Sequence, residues 1–174
     1  STRGVDPGLF PFRTWARLQK ELLYSAPELL TPGDARGDAA LRQALAEAGA
    51  PQLKILAKIE NLAGVQALPE FLPLVDEVVI ARGDLGNAMP LWELPRCQKQ
   101  LSAACRAAGV PFMVVTQMLD SMHTRAVPTR AEVSDIYNAV LDGASSLMLT
   151  GETAVGQYPV QAMEYLVRTA RTAM

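Results

Sequence analysis

One local pattern occurs three times in this chain and limits the folds open to it. A helix-like stretch ends in Gly49, Gly109 or Gly143 and passes within a few residues into a short apolar run. Glycine after a helix tolerates the left-handed conformation that ends it. Short, nearly continuous apolar runs are typical of parallel strands covered on both faces. The pattern therefore favours a chain that alternates helices with parallel strands.

The apolar runs predict four strands, with a helix between each strand and the next. A weaker strand candidate, Glu28–Thr31, follows a predicted helix over Phe12–Ser25. Alternating strands and helices indicate an α/β protein with right-handed crossovers. The four predicted strands cover about 53–58, 77–82, 112–116 and 146–150.

Two helices carry further signals in their sequence. Thr129 and Glu132 have the spacing of a capping box, so a helix is expected to begin there. The last helix has an apolar stripe at helical spacing, which is expected to face the core. That stripe consists of Val160, Met163, Val167 and Ala170.

Composition excludes several classes of protein. The 174 residues are 49% hydrophobic and carry a net charge of −2, which gives no general attraction to nucleic acid or anionic membranes. No apolar run approaches the roughly 20 residues of a membrane span. Cys97 and Cys105 lie on one predicted helix, too far apart for a disulfide. A cytoplasmic location is therefore expected.

Polar residues follow each predicted strand at its carboxyl end. Lys58 and Glu60 end the first, and an Arg-Gly-Asp stretch ends the second. Thr116 and Thr150 end the third and fourth. In parallel α/β folds the carboxyl ends of the strands form one rim that carries the site. These residues are therefore expected to meet at a shared site.

The residue types indicate metal-assisted chemistry on an anionic substrate. Glu60 and Asp84 offer two hard carboxylates suited to Mg²⁺ or Mn²⁺. Gly83 lets a substrate group approach the backbone N–H groups closely. Lys58 adds positive charge where an enolate or a transferring phosphoryl group would develop negative charge. The hydroxyl of Thr116, like that of Thr150, offers hydrogen bonding or proton relay.

Simpler interpretations of the same residues stay open at this point. A Lys-x-Glu pair on a strand is most often an exposed surface ion pair. Arg82 has two interpretations, a structural ion pair or a substrate contact, and His123 is expected to be an ordinary loop residue.

Five stretches resemble consecutive segments of the pyruvate kinase catalytic barrel, in the same order and spacing. The resemblance covers about Ala35 to the C-terminus. Two positions depart from the family pattern: Ala63 replaces a usually polar or acidic residue, and Thr150 replaces a usual serine. The stretches read LKILAKIENLAGV, VVIARGDLG, VVTQMLDSM, PTRAEVSDIYNAVLDGA and LMLTGETAVGQYP.

The resemblance implies phosphoryl transfer from phosphoenolpyruvate to ADP, giving pyruvate and ATP through a metal-stabilised enolate. It implies that Lys58 is the catalytic lysine and that Glu60 and Asp84 bind the divalent metal. It implies further roles for three other parts of the rim. The backbone of Gly83 and Asp84 would hold the substrate carboxylate, Thr116 would complete that pocket, and Thr150 would belong to the chain that protonates the enolate.

The resemblance also implies a partial fold. A (β/α)₈ barrel takes about 250 residues, and this chain matches the later half. Residues 1–174 are expected to form a single partial-barrel domain, in which 1–34 match nothing specific. The family's K⁺ ligands and phosphoryl-binding arginines have no counterpart in the sequence. Because a half-barrel exposes sheet edges, three outcomes stay open: the chain is a piece of a longer enzyme, a complementary half-barrel completes it, or it closes with a second copy of itself. The alternative fold is a small open parallel sheet.

Two other functions stay open from the sequence. The first is metal-dependent enolate chemistry on a 2-oxo acid, as in a lyase or decarboxylase, without phosphoryl transfer. The second is a degenerate half-barrel that serves as a binding or assembly module. Divalent-metal binding separates both enzymes from the module, and dependence on ADP separates the two enzymes.

Overall fold

A computed structural model of the chain describes residues 54–174. The predicted helix over 12–25 and the strand candidate over 28–31 lie outside this range. The strands are β1 (Leu56–Ile59), β2 (Glu77–Ala81), β3 (Phe112–Val115) and β4 (Ser146–Met148). The α-helices are α1 (Leu62–Phe71), α2 (Arg82–Ala88), α3 (Leu94–Ala108), α4 (Arg130–Leu141), α5 (Gly151–Ala154) and α6 (Pro159–Ala173). Short 3₁₀ turns cover Leu72–Leu74, Leu91–Glu93 and Asp120–His123.

All four strands pair in parallel, in the order β1-β2-β3-β4. Each predicted strand is confirmed within the described residues, and each is shorter than predicted or slightly displaced. β1 ends at Ile59, one residue later than expected. Sequential parallel strands with a helix after each are the arrangement of a (β/α) barrel wall.

The register sorts the strand residues onto two faces. Ile80 and Val114 are neighbours on one face and join the large core that packs under the helices. Val79, Ala81 and Val115 point to the opposite face and form a separate small apolar cluster. Lys58 pairs with Val79, so its side chain belongs to this second face, which corresponds to the interior of a barrel.

The helix termini form as the sequence predicts. Gly109 and Gly143 follow helix ends with φ of 69° and 90°, the left-handed region that glycine enters without steric cost. The capping box at the start of α4 is confirmed, because Thr129 and Glu132 hydrogen-bond to each other's backbone N–H. Cys97 and Cys105 are both buried on α3 and free, as predicted.

The predicted core stripe of α6 is wrong. The buried face of this helix is formed by Ala162, Leu166 and Thr169, whereas Val160, Met163 and Val167 are exposed. Both sets have helical spacing, so periodicity alone does not choose between them. The packing of α6 against α4 decides which face turns inward.

No helix within residues 54–174 combines the length and the apolar character needed to cross a membrane.

Candidate active site at the carboxyl ends of the strands

Three charged side chains converge where β1 and β2 end. Lys58 Nζ forms an ion pair with Glu60 Oε1 and lies 3.9 Å from Asp84 Oδ2. Lys58 and Glu60 reach the same side because residues two apart share a face of a strand. Asp84 arrives from the first turn of α2, which begins directly after β2. All three side chains are between 41% and 56% exposed, so the cluster is open to solvent.

The ion pair changes the acidity of both partners. A hydrogen bond to Glu60 raises the pKa of Lys58, and the negative charges of Glu60 and Asp84 add to that rise against a desolvation cost. The same bond from Lys58 lowers the pKa of Glu60, with a smaller contribution from Asp84. Lys58 is therefore held cationic and Glu60 anionic.

The ends of β2 and β3 meet through hydrogen bonds. The Gly83 N–H donates to Thr116 Oγ1 at 2.7 Å, and that hydroxyl donates in turn to the Val115 carbonyl at 2.6 Å. Thr116 and Gln117 have φ of 68° and 53°, the left-handed region that non-glycine residues seldom enter. Two of the predicted substrate-binding residues are thus in direct contact, and their polar groups already satisfy each other.

The buried side chain of Arg82 binds the backbone just after β3. Its guanidinium Nη2 donates to the Thr116 carbonyl at 2.9 Å and to the Gln117 carbonyl at 3.4 Å. Its Nη1 lies 2.5 Å from Asp135 Oδ2 on α4. The side chain of Arg82 is only 9% exposed. Of the two interpretations that the sequence left open, the structure therefore favours the structural ion pair.

Thr150 follows β4 and belongs to a different hydrogen-bond network. Its N–H donates to Glu152 Oε2 at 2.8 Å, and its hydroxyl lies 3.3 Å from the same oxygen. Glu152 Oε1 accepts from the Leu119 N–H at 3.1 Å, so this carboxylate joins the turns after β3 and β4. Within residues 54–174, Thr150 hydrogen-bonds to none of the other predicted site residues.

The surroundings of Glu152 keep it ionised although it is 1% exposed. Burial alone raises the pKa of a carboxyl group, but the backbone N–H groups of Glu152, Leu119 and Thr150 outweigh it. The nearby His123 adds a small electrostatic contribution, and the net pKa lies below the ordinary value. His123 packs closely against Gly151, since a Cβ on that glycine would clash with its Nε2.

No role for Asp135 or Glu152 was predicted from the sequence, although a signal for each was present. Asp135 lies three residues after Glu132, beside Ile136 and ahead of Ala139, so an acidic side chain occurs near the buried face of α4. An acidic residue in that position usually has a cationic partner. Glu152 is the only charged residue of the short α5, directly beyond the last strand.

Comparison with known proteins identifies this arrangement. Residues 34–163 match the family "Pyruvate kinase, barrel domain". The chain belongs to the pyruvate kinase family. It is 48% identical over 133 residues to a pyruvate kinase of Schizosaccharomyces pombe, and 50% identical over 133 residues to pyruvate kinase 2 of Saccharomyces cerevisiae. Each alignment includes 76% of this chain.

A solved pyruvate kinase from Cryptosporidium parvum has a similar structure. The two chains superpose with a TM-score of 0.74 at 41% identity, over 77% of this chain and 28% of the other. The fold is accordingly part of a TIM-type barrel, as the resemblance implied. The chain spans about a quarter of the length of the curated relatives named above.

Proposed function

We propose that this chain carries the enolate-forming part of a pyruvate kinase active site, which transfers a phosphoryl group from phosphoenolpyruvate to ADP. The observation that carries the proposal is the convergence of Glu60 and Asp84 on one cation, Lys58 Nζ, at the ends of two adjacent strands. In the transfer, the bond between phosphorus and the enol oxygen breaks, and a terminal oxygen of ADP bonds to phosphorus. A proton then adds to the methylene carbon, which gives pyruvate and ATP.

The donor set fits a hard divalent cation. Glu60 and Asp84 present carboxylate oxygens close enough to approach a single positive centre, and both are partly exposed. Among residues 54–174 no group of three or more His, Cys, Asp or Glu side chains forms a metal cage. Two carboxylates, with water and substrate oxygens completing the shell, are the usual protein contribution to an Mg²⁺ site. When bound, Mg²⁺ or Mn²⁺ would neutralise charge that develops on the substrate oxygens.

Lys58 supplies a positive charge that the protein itself fixes in place. Its ammonium is held by the two carboxylates and lies on the inner face of the barrel wall. An enolate oxygen or a departing phosphoryl group beside it would be stabilised electrostatically. Lys58 is therefore proposed as the catalytic lysine.

The substrate carboxylate is proposed to lie at the start of α2, against the backbone of Gly83 and Asp84. The Gly83 N–H is already donated to Thr116, so a bound carboxylate would share that donor with the threonine hydroxyl. Thr116 thereby becomes the side wall of the carboxylate pocket. Thr150, hydrogen-bonded to buried Glu152, is proposed to belong to the chain of groups that delivers the proton to the enolate.

Enolate formation is the step to test first. The purified chain would be incubated with pyruvate and Mg²⁺ in D₂O, and NMR would follow the loss of the methyl proton signal. We expect Mg²⁺-dependent exchange that Lys58→Ala and Asp84→Ala both abolish. Exposed Lys54→Ala and Glu70→Ala are matched controls that should exchange at the parental rate.

Two outcomes would overturn this proposal. One is a folded parental chain that does not exchange the methyl protons. The other is exchange that survives Lys58→Ala, which would remove the proposed catalytic group. If exchange occurs, ATP formation from phosphoenolpyruvate and ADP is the second measurement.

Enolate chemistry without phosphoryl transfer is the second candidate. It needs only the groups proposed for enolate formation, which all lie within the residues 34–163 that match the family. Exchange or decarboxylation of a 2-oxo acid that proceeds without ADP, combined with no ATP formation, would support this candidate over the first.

A further inference from the structure

We propose that Arg82 is a positioning residue for Thr116, and that Asp135 holds the Arg82 guanidinium in the orientation this requires. The proposal rests on the proposed function, because it explains how one wall of the substrate pocket is kept in place. Arg82 itself does not face the charged cluster: within the described residues it has no hydrogen bond to Lys58, Glu60 or Asp84.

The backbone just after β3 has an unusual conformation. Thr116 and Gln117 both have positive φ, a backbone conformation that costs free energy in residues other than glycine. Arg82 Nη2 bonds to the carbonyl oxygens of these same two residues, at 2.9 and 3.4 Å. Hydrogen bonds from a charged donor inside the protein are stronger than neutral ones. The guanidinium therefore offsets the cost at the point where it arises.

Two consecutive residues, Arg82 and Gly83, both hydrogen-bond to Thr116. Arg82 binds the Thr116 carbonyl, while the N–H of the next residue, Gly83, binds the Thr116 hydroxyl at 2.7 Å. If the Thr116 peptide rotated to a right-handed conformation, both bonds would break. The orientation of the hydroxyl is thus tied to the guanidinium.

The other terminal nitrogen of the Arg82 guanidinium is bound to α4. Nη1 donates to Asp135 Oδ2 at 2.5 Å and lies 3.5 Å from Gln98 Oε1. Nη2 also lies 2.9 Å from the sulfur of buried Met118. Because the guanidinium is planar and its Nη1 is bound to Asp135 on α4, its Nη2 points at the carbonyl oxygens of Thr116 and Gln117. A lysine ammonium is not planar and cannot hold two partners in this fixed geometry.

Arg82→Lys is the central variant, because it keeps the positive charge and removes the planar guanidinium. Its matched control is Lys99→Arg, which alters a second ion pair to the end of α4, Lys99 Nζ–Asp142 Oδ1 at 2.5 Å. We expect Arg82→Lys to lower kcat for pyruvate exchange by about ten- to a hundredfold, the usual effect of misplaced reacting groups. The Mg²⁺ concentration at half-maximal rate should not change, and Lys99→Arg should behave as the parent.

Asp135→Asn and Asp142→Asn form a second matched pair, in case Arg82→Lys fails to fold. NMR of chains with ¹³C-labelled threonine methyl groups supplies a measurement independent of activity. The Thr116 methyl resonance should move in Arg82→Lys and Asp135→Asn, and stay in place in Lys99→Arg and Asp142→Asn. Circular dichroism would establish that each variant is folded.

The outcomes separate this proposal from the proposed function. A folded Arg82→Lys or Asp135→Asn chain with an unmoved Thr116 resonance overturns the positioning role, whatever its activity. A moved resonance with unchanged exchange kinetics also overturns it, since the position of Thr116 would not matter. If the parental chain does not exchange, the proposed function fails, while the resonance still reports whether Arg82 places Thr116.

Discussion

The carboxyl rim of the sheet consists of two regions built in opposite ways. At the end of β1, Lys58 and Glu60 form an exposed ion pair with Asp84 beside it. At the ends of β3 and β4, Thr116 and Glu152 are held by backbone hydrogen bonds, and the Glu152 carboxylate is buried. The first region presents charge to solvent, and the second keeps its polar groups engaged with the protein.

The two regions differ in what they contribute: one carries exposed charges, and the other holds the backbone in a fixed conformation. Exposed ion pairs contribute little to stability, so the β1 cluster is free to exchange one cation partner for another. A buried carboxylate with several N–H donors stabilises one conformation and resists change. The β3 and β4 ends therefore fix distances, while the β1 end carries the charges that we propose act on substrate. Three predictions test this division, beginning with the largest expected effect.

Glu152→Gln should lower the free energy of unfolding by about 1–3 kcal/mol. The side-chain NH₂ of the new glutamine would face a backbone N–H that now donates to the Glu152 carboxylate, so one of these hydrogen bonds would be lost. The folded pKa of Glu152 lies below its ordinary value of 4.5. Its stabilisation is therefore present above that pH and is lost as the pH falls through the folded pKa. Urea unfolding at a series of pH values would measure both effects.

The control is Glu164→Gln on the exposed face of α6. Glu164 Oε2 lies 3.6 Å from Arg168 Nη2, and both side chains are exposed to solvent. This variant should unfold like the parent at every pH. Equal losses for the two glutamates, or a Glu152 effect that grows in acid, would contradict the assignment of Glu152 to the rigid region.

Gln117→Gly should raise the free energy of unfolding by up to about 1 kcal/mol. Relief of the left-handed strain exceeds the entropy that glycine loses on folding, and the exposed Gln117 has φ of 53°. The converse change, Gly109→Ala, places a side chain at φ of 69° with open space around it and should destabilise by about 1 kcal/mol. A lower free energy of unfolding for Gln117→Gly would mean that the Gln117 side chain contributes more to stability than the relief of backbone strain does.

Lys58→Met should leave the urea midpoint at the parental value while abolishing pyruvate exchange. The ammonium is exposed, so its ion pair with Glu60 is weakened by water and salt. A clearly lower midpoint would favour the structural surface ion pair that the sequence left open, and would weaken the division between the two regions.

The sequence by itself determined the alternation of strands and helices between residues 54 and 174, although not the short helices α2 and α5 that begin just beyond β2 and β4. Glycines after helices, the Thr129–Glu132 capping box and short apolar runs act through neighbours in the chain, so each could be recognised locally. The strand ends were predicted to carry Lys58, Glu60 and Asp84, and parallel pairing brings these side chains together. The resemblance to pyruvate kinase was visible in the same segments.

The tertiary structure decided the contacts that join distant positions. Arg82 meets Asp135 across 53 residues of sequence, and Glu152 meets Leu119 across 33. It also decided which apolar stripe of α6 is buried, since two stripes have the same helical period. Periodicity and spacing describe one element at a time, whereas these contacts depend on how elements pack. The charges of the site could be predicted from the sequence, and the supports that hold Thr116 and Thr150 in place could not.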